Sequence, residues 1–177
     1  MKKIISIMLA VLLLVCLTLT ACGEKFTVTF TVDGETYKTV ETKGVVEKPE
    51  DPEKAGYTFE GWKLGKADFD FSKEIESDIT LKANFKAKSD TPYTVRVFAE
   101  QQGGTYLEIT DNVPTVQGLK GTTDTEIKVE YLTLQAWGLD KLTGYSWNKS
   151  HPDSVLEGTV KADGSLELKV YMRLMGE

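Results

Sequence analysis

The chain has 177 residues, which is enough for one ordinary domain or two small ones. Its 27 acidic residues outnumber its 21 basic residues, and the formal net charge is −6. Phosphate binding needs a concentrated positive surface, so this composition argues against a nucleic-acid partner and favours solubility at a like-charged cell surface.

The N-terminal segment has the layout of a secretory signal. Lys2 and Lys3 precede the almost entirely apolar run Ile4–Leu17, and small residues follow it. Such a segment is removed during export and takes no part in the fold. After residue 22 there is no apolar run near the ~20 residues that span a bilayer.

The signal ends in Leu19-Thr20-Ala21-Cys22, in which a branched apolar residue and two small residues precede a cysteine. This resembles the lipobox of bacterial lipoproteins. The resemblance implies a lipid on Cys22, removal of the signal peptide 1–21, a short tether over 22–25 and anchoring to the cell membrane on its extracytoplasmic side. A plain signal peptide or an N-terminal membrane anchor is the alternative.

Cysteine usage agrees with export. The other cysteine, Cys16, lies within the removed segment, and Cys22 would carry the lipid. The mature chain then has no disulfide, and it must fold on its apolar core alone.

The first predicted elements form a hairpin. Apolar residues and threonines alternate over residues 26–32, the period of two that is typical of a half-buried strand. Asp33-Gly34 favours a tight turn, because glycine accepts a positive φ. Tyr37–Val40 is predicted to return as the second strand.

Two prolines exclude a central strand over Val46–Gly56. Asp51 before Pro52 predicts one short helical turn that ends at Gly56. Phe69–Phe71 and Asp78–Phe85 are predicted to be further strands.

A polar stretch without pattern, Lys86–Pro92, predicts a linker at residues 88–92, and alternation then starts again at Tyr93–Glu100. Gln101–Gly104 is predicted to be a turn. Ile127, Val129 and Tyr131 alternate as a strand, residues 132–142 fit helical spacing, and 163–174 predicts a turn followed by a strand.

The two halves share short segments in the same order, which favours two related units. Phe26-Thr27-Val28 matches Tyr93-Thr94-Val95, and Gly56-Tyr57-Thr58-Phe59 matches Gly144-Tyr145-Ser146-Trp147.

Residues 26–87 resemble the internalin B-type repeat of bacterial surface proteins. The residues that carry the resemblance are Pro49-x-x-Pro52, Gly56-Tyr57-x-Phe59-x-Gly61-Trp62, Phe69-Asp70-Phe71 and Leu81-x-Ala83-x-Phe85. The resemblance implies a β-grasp, ubiquitin-like unit with a small mixed sheet and one short helical crossover.

Residues 93–172 resemble more loosely a companion repeat related to mucin-binding-type repeats, and the predicted second domain spans 93–177. The matching residues are Tyr93-Thr94-Val95, Gly118-x-x-Gly121-Thr122, Gly144-Tyr145 and Gly158-Thr159-Val160-x-Ala162-Asp163-Gly164-Ser165. The segment Thr133–Thr143 departs from this pattern. The expected fold is therefore α+β and strand-dominated, with two tandem β-grasp domains after a lipoprotein signal peptide.

The aromatic stretch Gly56–Trp62 has two interpretations, a platform that stacks on sugar rings or part of a hydrophobic core. A unit of about sixty residues buries only a modest fraction of its surface, so it needs every large aromatic side chain inside. This consideration favours the core, with Trp62 as its largest member.

No arrangement in the sequence indicates an enzyme, a cofactor or a metal site. The single histidine, His151, lies in a polar loop without an evident catalytic partner. Asp68 and Asp70 share a strand face, but a good Ca²⁺ site takes about six or more oxygens.

Two functions remain open for a lipid-anchored, non-catalytic surface protein. It is a structural or protein-interaction module, or it is an adhesin that binds glycans or mucins. Trp137 lies outside the repeat pattern, and it is the candidate contact residue for an adhesin, since exposed tryptophan is favoured at binding hot spots.

Overall fold

The computed structural model describes residues 23–176, which divide into two compact units. The first unit takes in the described residues up to Pro52 together with Glu60–Asn84. The second takes in Glu53–Phe59 and the described residues from Phe85 onward. Strands dominate both units and helices are short, which confirms the coarse fold class predicted from the sequence.

The first sheet has five strands: β1 (Phe26–Val32), β2 (Glu35–Thr42), β3 (Tyr57–Leu64), β4 (Ala67–Asp68) and β5 (Ile79–Ala87). Their spatial order is β2-β1-β5-β3-β4, with β1 antiparallel to β2 and parallel to β5. The hairpin predicted at Asp33-Gly34 is confirmed. Both turn residues have a positive φ, +51° and +92°, which matches the twist of the flanking strands.

Two local predictions in this half were wrong. Residues 43–56 contain no helix. A single helical turn after Asp51 would fix several backbone dihedral angles for one hydrogen bond, and the segment is too short to add the further hydrogen bonds that offset this cost. Phe69–Phe71 is not a strand, and β4 lies just before it. The Asp70 carboxylate accepts hydrogen bonds from the Ser72 backbone N–H and hydroxyl at 3.0 and 2.7 Å, a local turn that competes with strand pairing.

The core of the first unit forms around Trp62, whose side chain is only 2% exposed. Val28, Phe30 and Leu81 from neighbouring strands are fully buried with it. The prediction that Trp62 belongs to the core is confirmed.

The second unit contains the remaining strands, all short except two. They are β6 (Thr91–Pro92), β7 (Thr94–Glu100), β8 (Tyr106–Glu108), β9 (Lys120–Gly121), β10 (Glu126–Lys128), β11 (Tyr145–Trp147), β12 (Glu157–Thr159) and β13 (Glu167–Leu174). The main sheet has the order β11-β13-β7-β8, with β7 parallel to β13. Two small antiparallel ladders pair β6 with β9 and β10 with β12.

Residues 88–92, predicted to be a linker, are tied into the second unit. Thr91 and Pro92 form β6, and the Lys88 carbonyl accepts a hydrogen bond from the Thr123 backbone N–H at 2.9 Å. The Thr91 and Thr123 hydroxyls share a buried hydrogen bond of 2.6 Å.

The helix predicted over 132–142 is shorter than expected and begins one residue earlier. Helix α1 spans Tyr131–Ala136, with Glu130 and Thr133 forming a reciprocal capping box at its start. Gly138 follows with a φ of +68°, which ends the helix, and Leu139–Lys141 forms a 3-10 turn. Tyr131 is therefore the first residue of a helix and not the last of a strand.

Alternation along the two long strands divides the main sheet of the second unit into two faces. Val95, Val97 and Ala99 of β7 are buried, and so are the alternating residues Leu168, Val170 and Met172 of β13. Two 3-10 turns, Thr110–Asn112 and Pro114–Val116, lie with α1 in the chain between β8 and β11 and add Val116 and Leu134 to this core.

Candidate functional site

The lipobox residues Leu19, Thr20, Ala21 and Cys22 lie outside the described residues. Lipid attachment to Cys22 therefore stays a prediction. Between residues 23 and 176, no helix is both long enough and apolar enough to cross a membrane.

Trp137, the candidate contact residue of an adhesin, is buried. Its side chain is 6% exposed and belongs to the core cluster of the second unit. The indole N–H donates a hydrogen bond to the Tyr93 phenol. Burial raises the pKa of this phenol, and the hydrogen bond partly offsets the increase. The Thr115 hydroxyl also donates a hydrogen bond to the Trp137 carbonyl. Because the ring has no exposed face, it cannot make the contacts that the sequence suggested.

His151 has a packing role. Its ring stacks on the Tyr171 ring with centroids 3.7 Å apart and planes at 6°, and Tyr106 meets it edge-on at 4.5 Å. Its Nδ1 accepts a hydrogen bond from the Asp153 backbone N–H at 3.2 Å. Neither contact activates a nucleophile.

Asp68 and Asp70, the acidic pair considered as a cation site, each interact with a different neighbour. Asp68 pairs with Lys63 at 3.2 Å, and Asp70 accepts hydrogen bonds from Ser72. Within residues 23–176, no group of three histidine, cysteine or acidic side chains is placed to hold a metal ion.

The outer face of the main sheet in the second unit carries a charge network around Arg96. Its guanidinium pairs with the Glu108 carboxylate and, at 3.5 Å, with Glu167. The hydrogen bond from Arg96, helped by one from the Thr110 hydroxyl, lowers the pKa of Glu108 to about 2. All these charges are paired, so the network stabilises the sheet and leaves no free charge for a ligand.

An open sheet edge lies in the first unit at β2. This strand is the last in the sheet order on its side, and its residues Glu35–Thr39 are all exposed. Apart from its ladder with β1, β2 makes no backbone–backbone hydrogen bond among the described residues. An unpaired strand edge of this length offers donors and acceptors to an extended segment of another protein.

A cavity of about 300 Å³ opens in the second unit, beside the edge strand β11. Tyr145 and Trp147 point to one face of β11, where Trp147 lies opposite Met172 of β13. Helix α1 adds Tyr131 at its first residue, and the Leu139–Lys141 turn adds Asp140. Three successive elements of the chain therefore place three aromatic rings and one carboxylate around one space.

Burial differs among the residues of this cavity. Leu134, Leu139 and Met172 are at most 1% exposed. Tyr145 and Trp147 are half-buried, whereas Tyr131 is 59% exposed. Asp140 is also exposed, and within residues 23–176 its carboxylate has no ion pair or side-chain hydrogen bond. The cavity thus has an apolar base and an open aromatic and acidic rim.

The sequence pattern does not indicate this cavity, because it predicts a strand at Tyr131 and gives no role to Asp140. The available signal was the adjacent pair Tyr131 and Leu132, two large apolar side chains that a buried helix face would not place side by side.

Comparison with known proteins finds a match for the first part of the chain. Residues 26–84 match the Listeria-Bacteroides repeat domain. Internalin H of Listeria monocytogenes serovar 1/2a is 42% identical over 74 residues, which are 38% of this chain and 14% of that protein. The chain therefore covers a small part of this relative, and residues 26–84 resemble an internalin-like surface repeat.

Proposed function

We propose that this protein is a lipid-anchored, non-catalytic module of the bacterial cell surface that engages another protein. The observation that carries the proposal is the match of residues 26–84 to a repeat that also resembles part of Internalin H. The lipobox ending in Cys22 provides the anchor in this proposal.

Both units support a common β-grasp plan. In each, the first and last long strands are parallel neighbours, β1 with β5 and β7 with β13, flanked by a hairpin partner and a further strand. We propose that the second unit is the companion repeat, in which α1 and the 3-10 turns occupy the crossover that is irregular in the first unit.

The open edge β2 supports the protein-interaction role, because a partner can add a strand there through main-chain hydrogen bonds alone. The glycan- or mucin-binding alternative has lost its residue-level support, since Trp137 is buried.

Protease treatment of intact cells tests the surface location and the anchor together. We expect added protease to remove the protein from wild-type cells, and Cys22→Ser to release the chain into the medium or leave it unprocessed. Protection of the protein in intact cells, with full digestion only after lysis, would contradict a cell-surface location.

A photo-crosslinking residue at Thr39 of β2 tests the partner role. We expect it to give one discrete crosslinked protein on intact cells, and the same label at Glu76, an exposed residue of the same unit outside every strand, to give none. Equal crosslinking at both positions would show that β2 has no specific partner.

A further inference from the structure

We propose that the cavity beside β11 binds a quaternary ammonium group of the choline type. The cavity brings the rings of Tyr131, Tyr145 and Trp147 to one space of about 300 Å³ together with the Asp140 carboxylate. This binding site is separate from the strand edge proposed for protein docking and does not depend on it.

The aromatic rings provide the first argument. The face of an aromatic ring carries partial negative charge and attracts a cation within about 6 Å of its centroid, most strongly for tryptophan. In the second unit, the Lys149 ammonium already lies 5.5 Å from the centroid of the Trp147 ring. Trp147 therefore already has one cation contact, and it comes from Lys149, which is not among the residues that line the cavity.

Charge complementarity provides the second argument. Asp140 is the one charged residue among those that line the cavity, and within the described part of the chain its carboxylate has no partner. An organic cation would neutralise it. A quaternary ammonium also covers its charge with methyl groups, which can contact the buried base formed by Leu139 and Met172.

The polar inventory of the cavity distinguishes this ligand from a sugar. A sugar presents many hydroxyls, and each needs a donor or an acceptor when it leaves water. Besides the phenols and the carboxylate, the polar side chains among the lining residues are Ser146 and the Trp147 indole, whose buried N–H has no hydrogen-bond partner among the described residues. The lining holds no side-chain amide or guanidinium group, so few partners are present for the several hydroxyls of a sugar. A trimethylammonium head carries no hydrogen-bonding group and leaves no polar atom of its own unsatisfied.

The volume fits a small ligand. A cavity of about 300 Å³ lies at the lower end of the range for small-molecule sites. It is open on one side, where Tyr131 and Met175 are 59% and 52% exposed. A trimethylammonium head can therefore enter while the rest of the molecule stays in solvent.

The test is a calorimetric titration of the whole mature chain, kept in solution by Cys22→Ser, with choline as the probe. Choline should bind with a dissociation constant on the order of 1 mM, as expected for so small a ligand. Its neutral isostere 3,3-dimethylbutanol should bind at least about fivefold more weakly, because it has the same shape without the charge.

Variants locate the binding. Asp140→Asn and Tyr131→Ala should each weaken choline binding by about fivefold, and both alter exposed residues, so the fold should persist by circular dichroism. The matched control is Leu132→Ala, which changes a 75% exposed neighbour on α1 outside the cavity and should leave choline binding unchanged.

Three results would overturn the proposal. One is the absence of saturable choline binding by the folded chain. Another is equal affinity for choline and 3,3-dimethylbutanol, which would show an apolar cavity without cation preference. The third is tighter binding of methyl glucoside than of choline, which would assign the cavity to sugars.

Discussion

Trp62 packs edge-on against Phe30 in the core of the first unit, with ring centroids 4.8 Å apart and ring planes at 75°. Both side chains are at most 2% exposed, and they come from strands β3 and β1, which are separated in the sheet by β5. This aromatic pair therefore joins strands that do not pair directly.

Trp62→Ala should destabilise the first unit by about 3–5 kcal/mol, because it leaves a cavity and removes the edge contact with Phe30. A small domain has a total stability of similar size, so the first unit should largely unfold. Thermal melting followed by circular dichroism measures the loss.

The control is Leu64→Ala, which truncates a 45% exposed side chain on the same strand and should change stability little. If Trp62→Ala kept the wild-type melting temperature, the indole would have no structural role and the sugar-platform interpretation would return.

Glu108 should make the stability of the second unit depend on acid pH. Hydrogen bonds from Arg96 and Thr110 lower its pKa from 4.5 to about 2 in the folded chain. The stabilisation is complete above the unfolded value of 4.5 and is lost as the pH falls from there to about 2. Because the pair is largely solvent-exposed, the effect should be modest.

Urea unfolding at a series of pH values between 2 and 6 measures this contribution. Glu108→Gln should reduce stability at pH 6 and flatten its decline with acid, whereas Glu76→Gln, a change to an exposed acid of the first unit, should keep the wild-type slope. Parallel curves for wild type and Glu108→Gln would show that the ion pair contributes nothing.

Gly158 lies where its strand packs closely on Leu166. A Cβ added at this position would lie 2.5 Å from the Leu166 Cδ1 atom, well inside van der Waals contact. Gly158→Ala should therefore overpack this part of the second unit and cost about 1–3 kcal/mol in urea unfolding. Gly44→Ala, where an added Cβ meets no atom within 4 Å, is the control and should not destabilise. Equal stability of the two variants would refute the close packing.

Trp137 should behave as a core residue. Trp137→Ala should cost the second unit about 3–5 kcal/mol, and Trp137→Phe should cost less, about 1–3 kcal/mol, mainly by leaving the Tyr93 phenol without its hydrogen bond. Chemical denaturation distinguishes the two. A folded Trp137→Ala protein with wild-type stability that lost only ligand binding would restore its contact role.

Much of the fold could be predicted because period-two alternation is strong where one sheet face is buried. Phe26–Val32 and Glu167–Leu174 are strands as expected, and Asp33-Gly34 forms the expected turn. Short elements failed, as at Asp70, where a local side-chain hydrogen bond decides the backbone conformation.

The cavity beside β11 could not be predicted, because its residues belong to three elements whose packing no local pattern encodes. Tyr131 and Trp147 each look like core residues in sequence. In the structure, Tyr131 is 59% exposed at the first residue of α1, and Trp147 is half-buried on the edge strand β11.

Mass spectrometry of the mature N-terminal peptide from native cells tests the central claim, that this is a lipid-anchored surface module, most directly. We predict that the chain begins at Cys22 and that this residue carries a diacylglyceryl group. A mature chain that begins at any other residue, or at an unmodified Cys22, would contradict the anchor and with it the proposed location of the protein.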